Sequence, residues 1–349
     1  VTWTVERVPA PTGQAVLHTT AVLAATGVLP MTGVLPTAGV DSGAAWAFGI
    51  AVGSSLHTLV FRRAEHDWRP VDVPDIGRAN KAVVLSDTEL WIVGDGTSLH
   101  GIGDDWRVVP LAPSDRAAQL FGLIAFAGSD VWTAGYAPGD GAARGTIQRW
   151  DGTSWTEQPL PDVAGSWALA GIGGVAQDDL WAVGQRHGPT GAMVALHRDG
   201  DVWRSVPVPV PDDGAAELGT VLALASDDVW AAGCRRPAAG AVRLPVAVHW
   251  DGVEWSLLDV PDGQGHIREL ATDGRRVFGV GSAGDRPWVV ELSEGGHRAV
   301  PAPPTPDGAT RCSLHGGAVL PDGRLLVVGA SSDSPTDARP YVAVLTDEG

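Results

Sequence analysis

Apolar runs of strand length, broken by short polar turns, follow one another along the whole chain. Around residue 230 the order is plain: "TVLALA" (220–225), an acidic turn "SDD", "VWAAG", a loop, "LPVAVHW" (244–250), the turn "DGVE" and "WSLLDVP" (255–261). Short runs rich in Val, Leu and Trp, bounded by Asp, Gly and Pro, predict strands rather than helices. An Asp-Gly pair between two alternating runs is the strongest short hairpin signal, and it recurs at Asp151-Gly152, Asp199-Gly200 and Asp251-Gly252. Proline closes the fourth run at Pro74, Pro110, Pro159, Pro207, Pro261 and Pro301, where edge pairing has to stop.

The four-run pattern repeats. Its second run carries a bulky anchor at Trp46, Trp91, Trp132, Trp181, Trp230, Phe278 and Leu326, each three residues before a glycine. The anchors are 41 to 49 residues apart, the length of a four-stranded propeller blade. This predicts an all-β chain, a seven-bladed β-propeller of four-stranded blades forming a single domain over residues 1–349. The seventh unit, "GRLLVVG" then "YVAVLTDEG", lacks its fourth run, whereas residues 1–10 open with "VTWTVERVP", which has the Trp and Pro of that run. The N-terminal segment is therefore expected to complete the last blade and close the ring.

With V-W-A-x-G and W-D-G-x-x-W signals over essentially its whole length, the chain resembles seven-bladed propellers with kelch-like or galactose-oxidase-like blades. The resemblance implies architecture, not activity, because such propellers include lectins, interaction scaffolds, lyases, hydrolases and oxidases. No set of residues matches the copper ligands of galactose oxidase.

Composition narrows the classes of partner. A net charge of −17 argues against nucleic acid and anionic membrane surfaces, which reward basic proteins. The uncharged run 19–40 is long enough for a span, but its prolines, glycines and repeated "TGVLP" (26–30, 32–36) read as loop and strand. Val1 opens no secretion signal, so the expected location is cytoplasmic, with a secreted protein as the alternative. Cys234 and Cys312 form no metal or disulfide framework. The Ala-, Gly-, Val- and Arg-rich, lysine-poor composition resembles proteins of high-GC actinobacteria, which implies specialised metabolism.

In such blades the "SDD" and "WDG" turns share one face, and the loops that vary from blade to blade share the other, where a rigid scaffold carries function. Subtracting the template leaves few histidines and tryptophans. His197 and His249 precede Asp-Gly turns, and His57, His66, His100 and His297 are assigned to outer runs or their turns. His18, His187, His266 and His315 remain, together with Trp167 and Trp288. Three first runs, "NKAVVL" (80–85), "HIRELA" (266–271) and "HGGAVL" (315–320), begin with polar residues, whereas "GLIAFA", "GIGGVA" and "TVLALA" are apolar or small.

Candidate chemistry follows from that contrast. His266, Glu269 and His315 are candidates to move protons and Arg268 to hold charge, in a cofactor-independent lyase, isomerase or cyclase step. Asn80 and Lys81, the only asparagine and the only lysine, are ligand-binding candidates with Tyr136, Trp167 and His187. "DRPWVVEL" and "ARPYVAVL" are parallel segments of adjacent blades and add Arg286, Trp288, Arg339 and Tyr341, a set suited to an anionic ligand with a flat or apolar body. No cofactor is expected, with a metal at the channel mouth as the weaker alternative because the histidines lack local ligand spacing. No P-loop, nucleophile elbow or zincin motif is present. The expected protein binds a small molecule or modified peptide at the central mouth. The alternatives are a non-catalytic scaffold that docks a protein and a carbohydrate-binding module.

Overall fold

A computed structural model describes residues 2–346 except 10–13, 23–44, 65–66, 113–117, 140, 189–190, 212–214, 238–241, 262, 307 and 335–336. The two "TGVLP" copies and His66 lie outside the described residues. No described helix is long and apolar enough to cross a membrane.

Twenty-eight strands form seven four-stranded antiparallel sheets, each a meander. The inner strands of blades 1 to 4 are Gln14–Val22, Ala79–Val84, Gln119–Ala127 and Trp167–Ala176. Those of blades 5 to 7 are Ala215–Ala225, His266–Thr272 and Arg311–Val319. The N-terminal strand Thr2–Val5 pairs with Ala338–Thr346 and supplies the outer strand of blade 7, as the sequence predicts. Beside it, the Glu6 carboxylate is buried against Arg63 and accepts a hydrogen bond from Trp68 Nε1 at 2.8 Å. This clasp ties the closing segment to blade 1 as well as blade 7.

There is no single core. Seven hydrophobic clusters occur, each made by two neighbouring blades. Second strands are covered on both sheet faces, which is why they read as apolar runs such as "LWIV" within Glu89–Gly94. The anchor tryptophan of one blade meets the outer-strand tryptophan of the next edge-on: Trp91 with Trp155 at 5.7 Å and Trp181 with Trp255 at 5.0 Å.

The acidic residue two before the anchor has a local task. Asp228 accepts hydrogen bonds from Trp230 Nε1 (2.6 Å) and from His249 Nε2 (2.9 Å), whose ring lies 4.5 Å from the indole. The histidine half of this recurs in blades 4 and 2, where His197 bonds Asp179 and stacks on Trp181 and His100 bonds Glu89 and stacks on Trp91, although neither of those indoles reaches the carboxylate. In blade 3 Arg149 replaces the histidine, bonding Asp130 at 2.9 Å and lying over Trp132. His57 and His100 sit on third strands, Leu56–Ala64 and Thr97–Ile102, not on the outer runs or their turns to which the sequence assigned them.

The glycine three after each anchor has a different cause. Every inner strand has an irregularity of register at the same level against its second strand, those of blades 3, 4 and 5 having a further one near the turn, and the residue just before the shared one pairs with that glycine. A Cβ on Gly94 would stand 1.8 Å from the Arg78 carbonyl oxygen, and one on Gly281 1.8 Å from that of His266. The bulged strand occupies the space a side chain would need, so only glycine fits.

Candidate functional site

A β-bulge leaves one residue out of the ladder and re-aims its side chain. Here the seven bulged residues all line the central channel, in a cavity of about 650 Å³. On blades 6, 7, 1 and 2 they are Arg268, His315, His18 and Asn80; on blades 3 to 5 they are Phe121, Ala170 and Gly219. One arc of the mouth is thus cationic and hydrogen-bonding, and the facing arc is apolar or bare. Glycines 171, 173 and 174 keep the bare arc open.

The polar arc is partly committed to structure. The Leu17 carbonyl can only accept, so His315 Nδ1 carries the proton it donates there (3.0 Å), and Nε2 accepts from Ser313 Oγ at 3.0 Å. Asn80 Nδ2 donates to the Leu120 carbonyl at 2.8 Å, tying blade 2 to blade 3. Glu269 forms an ion pair with Lys81 and accepts from Thr220 Oγ1 at 3.2 Å. Since Lys81 and Glu269 belong to blades 2 and 6, this pair crosses the channel.

Two groups are uncommitted. Arg268 makes no hydrogen bond or ion pair with any described residue, and it points into the cavity. His18 Nε2 is buried without a hydrogen-bond partner among the described residues, and its ring stacks on His315 at 5.7 Å. Burial, then Arg78 and Arg268, hold His18 down to about 4, and burial with Arg268 and His18 holds His315 down to about 3. His266 lies at about 3, through burial, Arg268 and Arg243. All three imidazoles are neutral at pH 7, which leaves Arg268 as the charge at the mouth with no paired carboxylate.

The channel therefore gathers six of the sequence candidates: His266, Arg268, Glu269, His315, Asn80 and Lys81. The other seven lie elsewhere. Tyr136 donates to Gln119 Oε1 at 2.7 Å and stacks behind Phe121 at 6.0 Å, so it backs the apolar arc rather than facing the cavity. Trp167 is 4% exposed, in the core between blades 3 and 4, packed over Gly145. Trp288 and Tyr341 pair with the anchor glycines 281 and 329 and pack in the clusters between blades 5 and 6 and between blades 6 and 7; the Tyr341 hydroxyl donates to the Pro304 carbonyl at 2.7 Å. Arg339 is held by Asp333 and Asp337, and Arg286 is exposed away from the cavity. His187 lines a separate recess of about 100 Å³ with Glu217, Cys234 and Arg236.

Residues the sequence candidates did not include are Phe121, His18 and Thr220 in the channel, and Arg243, whose Nη1 approaches His266 Nδ1 at 3.4 Å. The register of the inner strands accounts for the first two. Inner strands aligned by composition start at Asn80, His266 and His315, but aligned on the bulge they start at Lys81, Glu269 and Gly316. That register brings the whole ring of seven residues into one column.

No family model matches the chain, and no curated protein matches it. The kelch-like or galactose-oxidase-like resemblance is therefore carried by no family match. Among solved structures the chain is similar to YCF48 bound to D1 peptide, with a TM-score of 0.61 and 14% identity, over 99% of this chain and 97% of that one. At that identity the likeness is one of fold: a seven-bladed propeller matched from end to end.

Proposed function

We propose that this protein is a ligand-binding propeller whose channel mouth takes a molecule with a carboxylate or similar anionic group on Arg268. The apolar body of that molecule lies against the arc of Phe121, Ala170 and Gly219. The observation that carries this is an unpaired guanidinium aimed into a cavity of about 650 Å³, a size within the usual range for small-molecule sites, roughly 300–1,000 Å³. A guanidinium left without an acceptor in a walled channel is matched best by a planar anion.

The same geometry favours binding over proton transfer. Glu269 is held by Lys81 and Thr220, and His315 uses both ring nitrogens on Leu17 and Ser313. A free carboxylic acid and the carboxylate end of a peptide share the required chemistry. The peptide is supported by a neighbour of the same fold, YCF48, which is bound to a D1 peptide.

The test is ligand-observed NMR against small carboxylic acids and their primary amides, with short peptides carrying free or amidated C-termini. Acids are expected to bind and amides to fail, and Arg268→Gln to weaken acid binding by about tenfold or more. Binding by neither acids nor free peptides, or equal binding by Arg268→Gln, would overturn the proposal.

A further inference from the structure

Beside Arg268, on the seam between blades 5 and 6, three metal-ligating side chains of different type converge. The donor atoms of Glu217, Cys234 and His266 lie within 4.8 Å of one another. Glu217 and Cys234 are direct partners across the inner and second strands of blade 5, so their side chains share a face. His266 begins the inner strand of blade 6 and faces them across the blade boundary. Strand geometry, not a mobile loop, sets all three.

We propose that Glu217, Cys234 and His266 form a zinc site with a fourth position open to solvent. Zinc bonds of about 2.0–2.3 Å in a tetrahedron place donors roughly 3.5 Å apart, a small contraction of the cluster. Cys234 Sγ already stands 3.1 Å from Glu217 Oε1. A thiolate, an imidazole and one carboxylate oxygen select a borderline-soft cation, not calcium or magnesium, which take oxygen ligands. Three protein ligands with one vacancy are the pattern of zinc sites that take an exogenous ligand. Here the vacancy has two outlets, since His266 lines the channel while Glu217 and Cys234 line the adjoining recess.

The charges balance as follows. Cys234 now donates its proton toward Glu217; zinc replaces that proton, which leaves to solvent, and the site gains one net positive charge. Arg236, Arg243 and Arg268 surround it and oppose that gain. Arg236 Nη2 also stands 3.6 Å from the other Glu217 oxygen, where it orients the carboxylate as an outer-shell partner. Zinc on either nitrogen of His266 removes the lone pair at Nδ1 that faces Arg243, so that contact at 3.4 Å is released. The arginines predict a site completed by an anion in the open position.

The site stands on its own ligands and does not depend on the carboxylate reading. It is tested on the whole chain, stripped with a chelator and titrated with cobalt(II), then with zinc. The expected result is one cobalt per chain, with tetrahedral visible bands and a near-ultraviolet thiolate-to-cobalt band that zinc abolishes. Cys234→Ser should lose the thiolate band and Cys312→Ser should keep it. Glu217→Gln, close in shape to the wild type, should weaken cobalt binding at least tenfold. No saturable thiolate band in the wild type, or one that survives Cys234→Ser, overturns the proposal. With the acid-binding test run on the stripped protein as well, failure of either idea leaves the other standing.

Discussion

At the scale of single residues, the site is defined less by which groups are present than by which lack partners. His18 and His315 are held neutral in the channel wall, at about 4 and about 3 against an ordinary 6.5. A group whose folded value is depressed binds more protons when unfolded. Its contribution is complete above pH 6.5 and is lost as pH falls toward the folded values. Stability should therefore begin to decline just below pH 6.5, before the carboxylates titrate, by on the order of 2–3 kcal/mol per histidine down to pH 4. Urea unfolding from pH 7 to pH 4.5 checks this, with His315→Gln expected to flatten the slope between pH 6.5 and 5. A slope unchanged in His315→Gln would show that His315 titrates normally. His18 and His315 stood out in the sequence as histidines outside the repeat, whereas Phe121 did not. An aromatic at the head of an apolar strand reads as packing, and only the bulge turns it into the channel.

At the scale of elements, the strands and their order were legible because each has its own local cause. Asp-Gly turns, paired tryptophans and terminal prolines mark the hairpins and edges directly. The bulge was not legible in the strand that contains it; its trace is the glycine of the neighbouring strand. The parallel segments at Arg286 and Arg339 misled for a related reason. The repeated aromatics Trp288 and Tyr341 pair with Gly281 and Gly329, so their repetition records packing rather than ligand contact. The N-terminal closure was legible from the missing outer strand, but its strongest tie was not. Glu6, 7% exposed, meets Arg63, 3% exposed, and Trp68 Nε1. Removing one partner leaves a buried charge, at a cost of about 3–5 kcal/mol for Glu6→Ala. The double replacement Glu6→Leu with Arg63→Met removes both charges and should restore most of that loss. Denaturant unfolding of the three variants checks the order, and equal losses for the single and double changes would contradict it.

At the scale of the whole molecule, a ring of seven interblade cores transmits little directly from one side to the other, because each blade packs mainly on its two neighbours. Among the described residues the Lys81–Glu269 pair is the ion pair that joins non-neighbouring blades, 2 and 6, across the channel. Lys81 and Glu269 are 25% and 13% exposed, dry enough for the pair to matter and wet enough to avoid the full penalty of a buried ion pair. Each residue follows its blade's bulge, so the cross-link depends on the same register that places Asn80 and Arg268 above it. A double-mutant cycle of Lys81→Met and Glu269→Gln isolates the term, with an expected coupling of about 1–3 kcal/mol. Hydrogen exchange on the single variants should then show faster opening in the inner strands of both blade 2 and blade 6, though each variant alters only one blade. If exchange quickens only in the mutated blade, the pair is local, and the channel wall is held by the interblade cores alone.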